Sequence, residues 1–114
     1  MKSAFNDLET IRNYLKTNRK KFVVVSFDFL ASGDKTFDLF LCWGKSKFNS
    51  ENVSLGAVAV YNHFFDSTLP QNYLSKYFDC VITNGDNRTF GIVFGRANKV
   101  LKALNNKIKI LAQK

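Results

Sequence analysis

Histidine is almost missing from this chain of 114 residues, and cysteine, proline and tryptophan are scarce too: one His, two Cys, one Pro and one Trp. A single imidazole excludes a two-histidine acid–base mechanism and leaves only a scheme built on His63, for which packing near a strand end is the expected role. Cys42 and Cys80 lie far apart without a C-x-x-C pair, so with one His no zinc site can be assembled. Both sit in apolar segments, where buried free thiols are expected. Ser26, Ser46 and Cys42 have no His placed to activate them, so nucleophilic catalysis has no foundation in the sequence. The stretch "GIVFGRANK" lacks the G-x-x-x-x-G-K-[ST] pattern of a phosphate loop. Gly95 there reads as a strand-to-helix turn that, beside Arg96, offers an anion at most a weak cradle.

Long apolar runs are missing as well. No uncharged apolar stretch approaches the ~18 residues of a membrane span, and "MKSAFNDLETIRNYLK" lacks the apolar run of a signal peptide. The expectation is a cytoplasmic protein, of a host cell if the gene is viral, without integral membrane association.

Acidic residues are missing from one region in particular. Residues 88–114 hold seven Lys/Arg and no Asp/Glu; residues 1–21 hold six and two, and residues 22–87 four and seven. The net charge of +8 therefore belongs to the two ends, a pattern that favours an anionic partner.

What the chain does have is apolar substance: 46% hydrophobic residues, twelve of them Phe, with only six Gly. That composition and length fit one globular domain over residues 1–114. Asn6 to Lys16 reads as a helix, with Asn6 as cap, Glu9 three residues on, and Leu8, Ile11 and Leu15 at helical spacing. "FVVVSFDFLA" alternates as a strand, with Val23, Val25, Phe27, Phe29 and Ala31 on its apolar side. "SGDK" then supplies a tight turn into a second strand, where Phe37, Leu39, Leu41 and Trp43 oppose Thr36, Asp38, Phe40, Cys42 and Gly44. "KSKFNSEN" reads as a loop, and "VSLGAVAVYNHFF", rich in β-branched residues, as a third strand. Pro70 opens one or two turns of helix, and "DCVITNGDNRTFGIVFG" makes a second hairpin about Asn84-Gly85. A last helix follows, with Ala97, Val100, Leu101, Leu104, Ile108 and Leu111 as its apolar stripe and a wholly basic charged side.

The predicted fold class is α+β: a mainly antiparallel sheet of about five strands, in the order α-β-β-β-short α-β-β-α, with the N- and C-terminal helices packed on one face. Asp28 and Asp38 then share a sheet face. A Mg²⁺-dependent nuclease would use such carboxylates, but it needs a third and often a Lys. Asp79 and Lys45 are the available offers, and no E-x-K or D-x-D spacing supports them. The expectation is that both Asp face solvent and that the chain carries neither metal nor cofactor. Phe22, Phe40, Phe64 and Phe90 would form a stacking platform if one sheet face were open, but core positions suit them better.

The best functional signal is a basic surface built by the terminal helices: Arg12, Lys16, Arg19, Lys20 and Lys21 at one end, and Arg96, Lys99, Lys102 and Lys109 at the other. It points to a non-enzymatic nucleic-acid-binding domain that takes DNA or RNA by backbone and shape. The alternative is a small inhibitor, immunity or phage-type accessory factor docking on an acidic protein. Homo-oligomerisation stays open.

Overall fold

The first helix, α1 (Leu8–Thr17), starts where Asp7 gives it a cap. The Asp7 carboxylate accepts the Thr10 backbone N–H and the Thr10 hydroxyl, each at 3.0 Å, so the cap is one residue later than the expected Asn6. The backbone N–H bond, with the hydroxyl bond second, favours the charged form and holds this carboxyl below its ordinary 3.8. At the other end Asn18 closes the helix, its N–H and its side-chain amide both donating to the Tyr14 carbonyl.

Residues 3–30, 32–74, 80–85 and 88–112 are described by the computed structural model of the protein. Four strands form its sheet: β1 (Phe22–Leu30), β2 (Lys35–Phe40), and, after an excursion, β5 (Cys80–Gly85) and β6 (Arg88–Arg96). Their order is β2-β1-β6-β5, with every neighbouring pair antiparallel. Gly33, at φ +94°, makes the turn between β1 and β2, where an L side chain would be strained. At the β2 edge Phe5 bridges Leu39, the Leu39 N–H donating to the Phe5 carbonyl at 2.8 Å.

The second strand is shorter than its alternation implied. It stops at Phe40, and Cys42–Trp43 (β3) turns back on Ser46–Lys47 (β4) as a separate two-stranded hairpin. The largest correction is the next element. "VSLGAVAVYNHFF" is not a strand but a helix, α2 (Val53–Phe65), so the sheet has four strands rather than about five. Its length already exceeds most strands. Val53, Gly56, Ala57 and Val60 are buried at the i, i+3, i+4, i+7 spacing that lays a helix on a surface. A loop organises its start: Asn49 Oδ1 accepts the N–H groups of Glu51 and Asn52, and Asn52 Oδ1 accepts that of Asn49. These local bonds and the packing outweigh the β preference of Val. Of the helix expected from Pro70, the described part up to Leu74 holds a hydrogen-bonded turn, the Tyr73 N–H donating to the Pro70 carbonyl, and the remainder, residues 75–78, lies outside the described residues. The Asn84-Gly85 step expected to turn the second hairpin belongs instead to β5, where Asn84 pairs with Thr89 and Gly85 with Arg88; Asp79 and residues 86–87 lie outside the described residues.

α3 (Ala97–Ala112) packs beside α1 on one face of the sheet. There Ile11, Leu15, Ala97, Val100 and Leu104 meet Val23, Val25, Phe27, Leu39 and Val93. α2 covers the opposite face, closing a second core of Val24, Phe40, Phe48, Ala57, Val60, Phe90, Ile92 and Phe94. The molecule thus has three layers, with the sheet buried on both sides. The face on which Asp28 and Asp38 were expected to meet solvent is thus covered by α2 over the centre of the sheet. Gly91 sits directly under the Phe27 ring across the β1–β6 pair, where a Cβ would collide with it.

Candidate nucleic-acid interface

The nine candidate cations do not form one surface; the fold divides them. α1 and α3 run antiparallel, because Arg12 near the start of α1 donates from Nε to Asn105 Oδ1 at 2.9 Å, while the Arg19 carbonyl beyond its end accepts the Asn98 N–H at 3.0 Å. Between them runs a shallow groove of about 260 Å³ lined by Leu15, Lys16, Arg19, Asn98 and Leu101. Lys16 and Arg19 stand at one wall of it and are exposed, as is Lys20 in the turn that follows. On α3, Lys99, Lys102 and Lys109 are exposed on the outward stripe, opposite Ala97, Val100 and Leu104 in the core. Six cations therefore share one side of the molecule.

Arg12 is placed differently. Its side chain is three-quarters buried, and its guanidinium pairs with Glu9 at 2.8 Å and bonds Asn105, so it ties α1 to α3 and has little left for a ligand. Asp7 and Glu9 lie at the start of α1, and the antiparallel arrangement sets Lys109 toward that acidic end. The positive charge is therefore densest around the end of α1 and the start of α3.

Arg96 and Lys21 leave this surface. Arg96 pairs with Phe22 in the β1–β6 register and its guanidinium lies over the Phe22 ring, 5.0 Å from the centroid, on the α2 side of the sheet. Alternation explains it, since Arg96 follows Phe94, which points into the α2 core. Lys21 lines a different cavity, with Tyr14, Phe22 and the β3–β4 hairpin. The weak anion cradle at Gly95 is also closed. Gly95 does make the strand-to-helix turn, at φ +135°, but the first N–H groups of α3 are taken: Ala97 donates to the Lys21 carbonyl at 2.7 Å and Asn98 to that of Arg19.

The other candidates settle as follows. Asp38 pairs with Ser26 and Asp28 with Thr36, so the two Asp lie on one sheet face, two residues out of register, and both are half-buried rather than fully solvent-facing. Among the described residues no group of three or more His, Cys, Asp or Glu is placed to hold a metal ion. Lys45 sits in the turn of the β3–β4 hairpin and is exposed. His63 is exposed on α2, its ring edge-on to Phe64 at 5.8 Å, and not near a strand end. Cys42 is an exposed free thiol, against the expectation of burial, because β2 breaks before reaching it. The platform of four Phe is dismantled by α2: Phe40 and Phe90 are buried beneath it, Phe64 belongs to the helix itself, and Phe22 is half-buried under Arg96.

Among the described residues no helix is long and apolar enough to cross a membrane. Compared with family models, curated proteins and solved structures, the chain matches none.

Proposed function

We propose that the protein binds nucleic acid, without cleaving it, through the outer side of α1 and α3. The observation that supports this reading is that two helices from opposite ends of the chain lie side by side, with Lys16, Arg19, Lys20, Lys99, Lys102 and Lys109 exposed on and just beyond them. Lys99 to Lys109 spans about 15 Å of helix at ~1.5 Å per residue, the length of roughly four phosphates along one duplex strand. The contacts are cationic and geometrically loose, so they suit phosphate and carry no base code. Five or six neutralised phosphates correspond to a log–log salt slope of about −5.

A second reading, an acidic protein as partner, is favoured by Ile110, which is 45% exposed beside Lys109. An apolar side chain in a basic surface fits a protein interface better than a phosphate backbone.

Fluorescence anisotropy with labelled single-stranded DNA, duplex DNA and RNA, from about 50 to about 200 mM salt, separates the two. Micromolar or tighter binding near physiological salt with that slope supports the nucleic-acid reading. Loss of all binding there supports the protein partner.

A further inference from the structure

At the end of the sheet where β1 begins and β2 ends, a cleft of about 400 Å³ opens between the two cores. Tyr14 and Leu41 reach it from the α1–α3 side, and Phe22 and Phe48 from the α2 side. It forms because β2 breaks at Leu41 and the chain swings out into the β3–β4 hairpin, leaving the ends of two apolar layers without a lid between them. Its volume lies within the ~300–1,000 Å³ range of small-molecule sites. Among the described residues its two charged lining residues are both cations, Lys21 from the β1 side and Lys47 from the hairpin, and no carboxylate lines it. Arg96 does not line the cleft but lies over the ring of Phe22, which does.

We propose that this cleft binds a small amphipathic carboxylate: an aliphatic chain seated among Tyr14, Phe22, Leu41 and Phe48, with its head group held at the rim by Lys21 and Lys47. The chemistry of the lining selects this class. An apolar body is released from water against aromatic and aliphatic walls, while a neutral ligand would leave the cationic rim unused and a dianion would not match walls that are mainly hydrocarbon. A nucleobase fits poorly, since apart from the Tyr14 hydroxyl and the two ammonium groups the walls offer little to read a base edge. A second cleft, about 370 Å³ along α2 between Leu55 and Gln71, has no charged lining residue among the described residues. Its Asn52 and Asn62 are already bonded to loop backbone at Lys47 and Leu69, so it lacks the convergent charge that the end cleft has. The proposal stands apart from nucleic-acid binding, because Lys21 and Arg96 are the two candidate cations that turn away from the α1–α3 surface.

The test is an amide NMR titration of the whole protein with octanoate, and in parallel with 1-octanol, below the concentrations at which either self-associates. Saturable shifts confined to the neighbourhood of Lys21, Phe22, Leu41 and Lys47, with octanoate binding about tenfold more tightly than the alcohol, are the expected result, since two partly exposed ion pairs supply about that factor. Lys21→Ala with Lys47→Ala should remove the difference between acid and alcohol. Cys42→Trp, a change at an exposed position, should block both ligands by filling the cleft mouth. Absence of saturable shifts, shifts scattered over the molecule, or equal affinity for acid and alcohol in the parent protein would overturn the proposal.

Discussion

The two faces of the sheet are covered in different ways. On one, two amphipathic helices from the ends of the chain lie antiparallel, bury aliphatic stripes and present cations outward. On the other, a single helix without a charged residue between Val53 and Phe65 does the same work over a core dominated by rings. Phe64 stands between Phe40 and Phe90, and Phe65 meets Phe90 edge-on at 4.7 Å. One helix suffices because bulky Phe side chains fill the remaining width, Phe48 among them, whose ring lies against Gly56 where a Cβ would collide with it. The contrast separates roles: the aromatic side is given over to packing, and the side with two helices is free to carry charge.

The largest expected effects test whether both cores are needed. Phe27→Ala on the helix-pair side and Phe40→Ala on the α2 side, at 1% and 2% exposure, should each cost about 3–5 kcal/mol in urea unfolding. A much smaller loss for Phe40→Ala would mean that α2 is a loosely held cover. Next, Gly91→Ala should destabilise by about 1–3 kcal/mol, because the new methyl group meets the Phe27 ring and neither strand can yield without disturbing the β1–β6 pairing. A neutral result would show that Phe27 has another rotamer available.

Charge changes on α3 should leave stability nearly untouched and move binding instead. Lys99→Ala with Lys102→Ala should weaken binding to single-stranded DNA, duplex DNA and RNA alike and reduce the salt slope by about two. The smallest effect concerns the Asp7 cap. Its folded-state pKa is lowered by the bonds from Thr10, so its contribution is present above the ordinary carboxylate pKa and is lost as pH falls through the lowered value. Asp7→Asn keeps a capping oxygen but removes this titration. The variant should therefore lose less stability than the parent between about pH 5 and about pH 2, as read by urea midpoints.

The same contrast governs what could be read from the sequence. α1, α3 and the two hairpins are legible because each has one clear period: Ile11 and Leu15, or Val100 and Leu104, recur at helical spacing, and Val23, Val25 and Phe27 alternate. α2 hides because nearly all its residues are apolar, so Leu55 and Tyr61 blur the periodic set of Val53, Gly56, Ala57 and Val60. The readable signal was the Asn49-x-x-Asn52 loop before it, with the length of the run. For the site, the sequence names the cations but not their directions. Lys99 and Lys102 follow from the helix stripe. Arg96 required strand parity to be carried through Phe94 to the end of β6, and Lys21 required knowledge of the break at Leu41 that opens the cleft beside it.

The most direct test compares two double variants by fluorescence anisotropy over about 50 to 200 mM salt: Lys99→Ala with Lys102→Ala on α3, and Lys45→Ala with Lys47→Ala on the β3–β4 hairpin. Each removes two exposed positive charges, so net charge is matched and only position differs. The account predicts weaker binding and a slope shallower by about two for the α3 variant, with the hairpin variant close to the parent. Equal losses for the two would mean that binding follows overall charge, and would contradict the assignment of the α1–α3 face as the nucleic-acid interface.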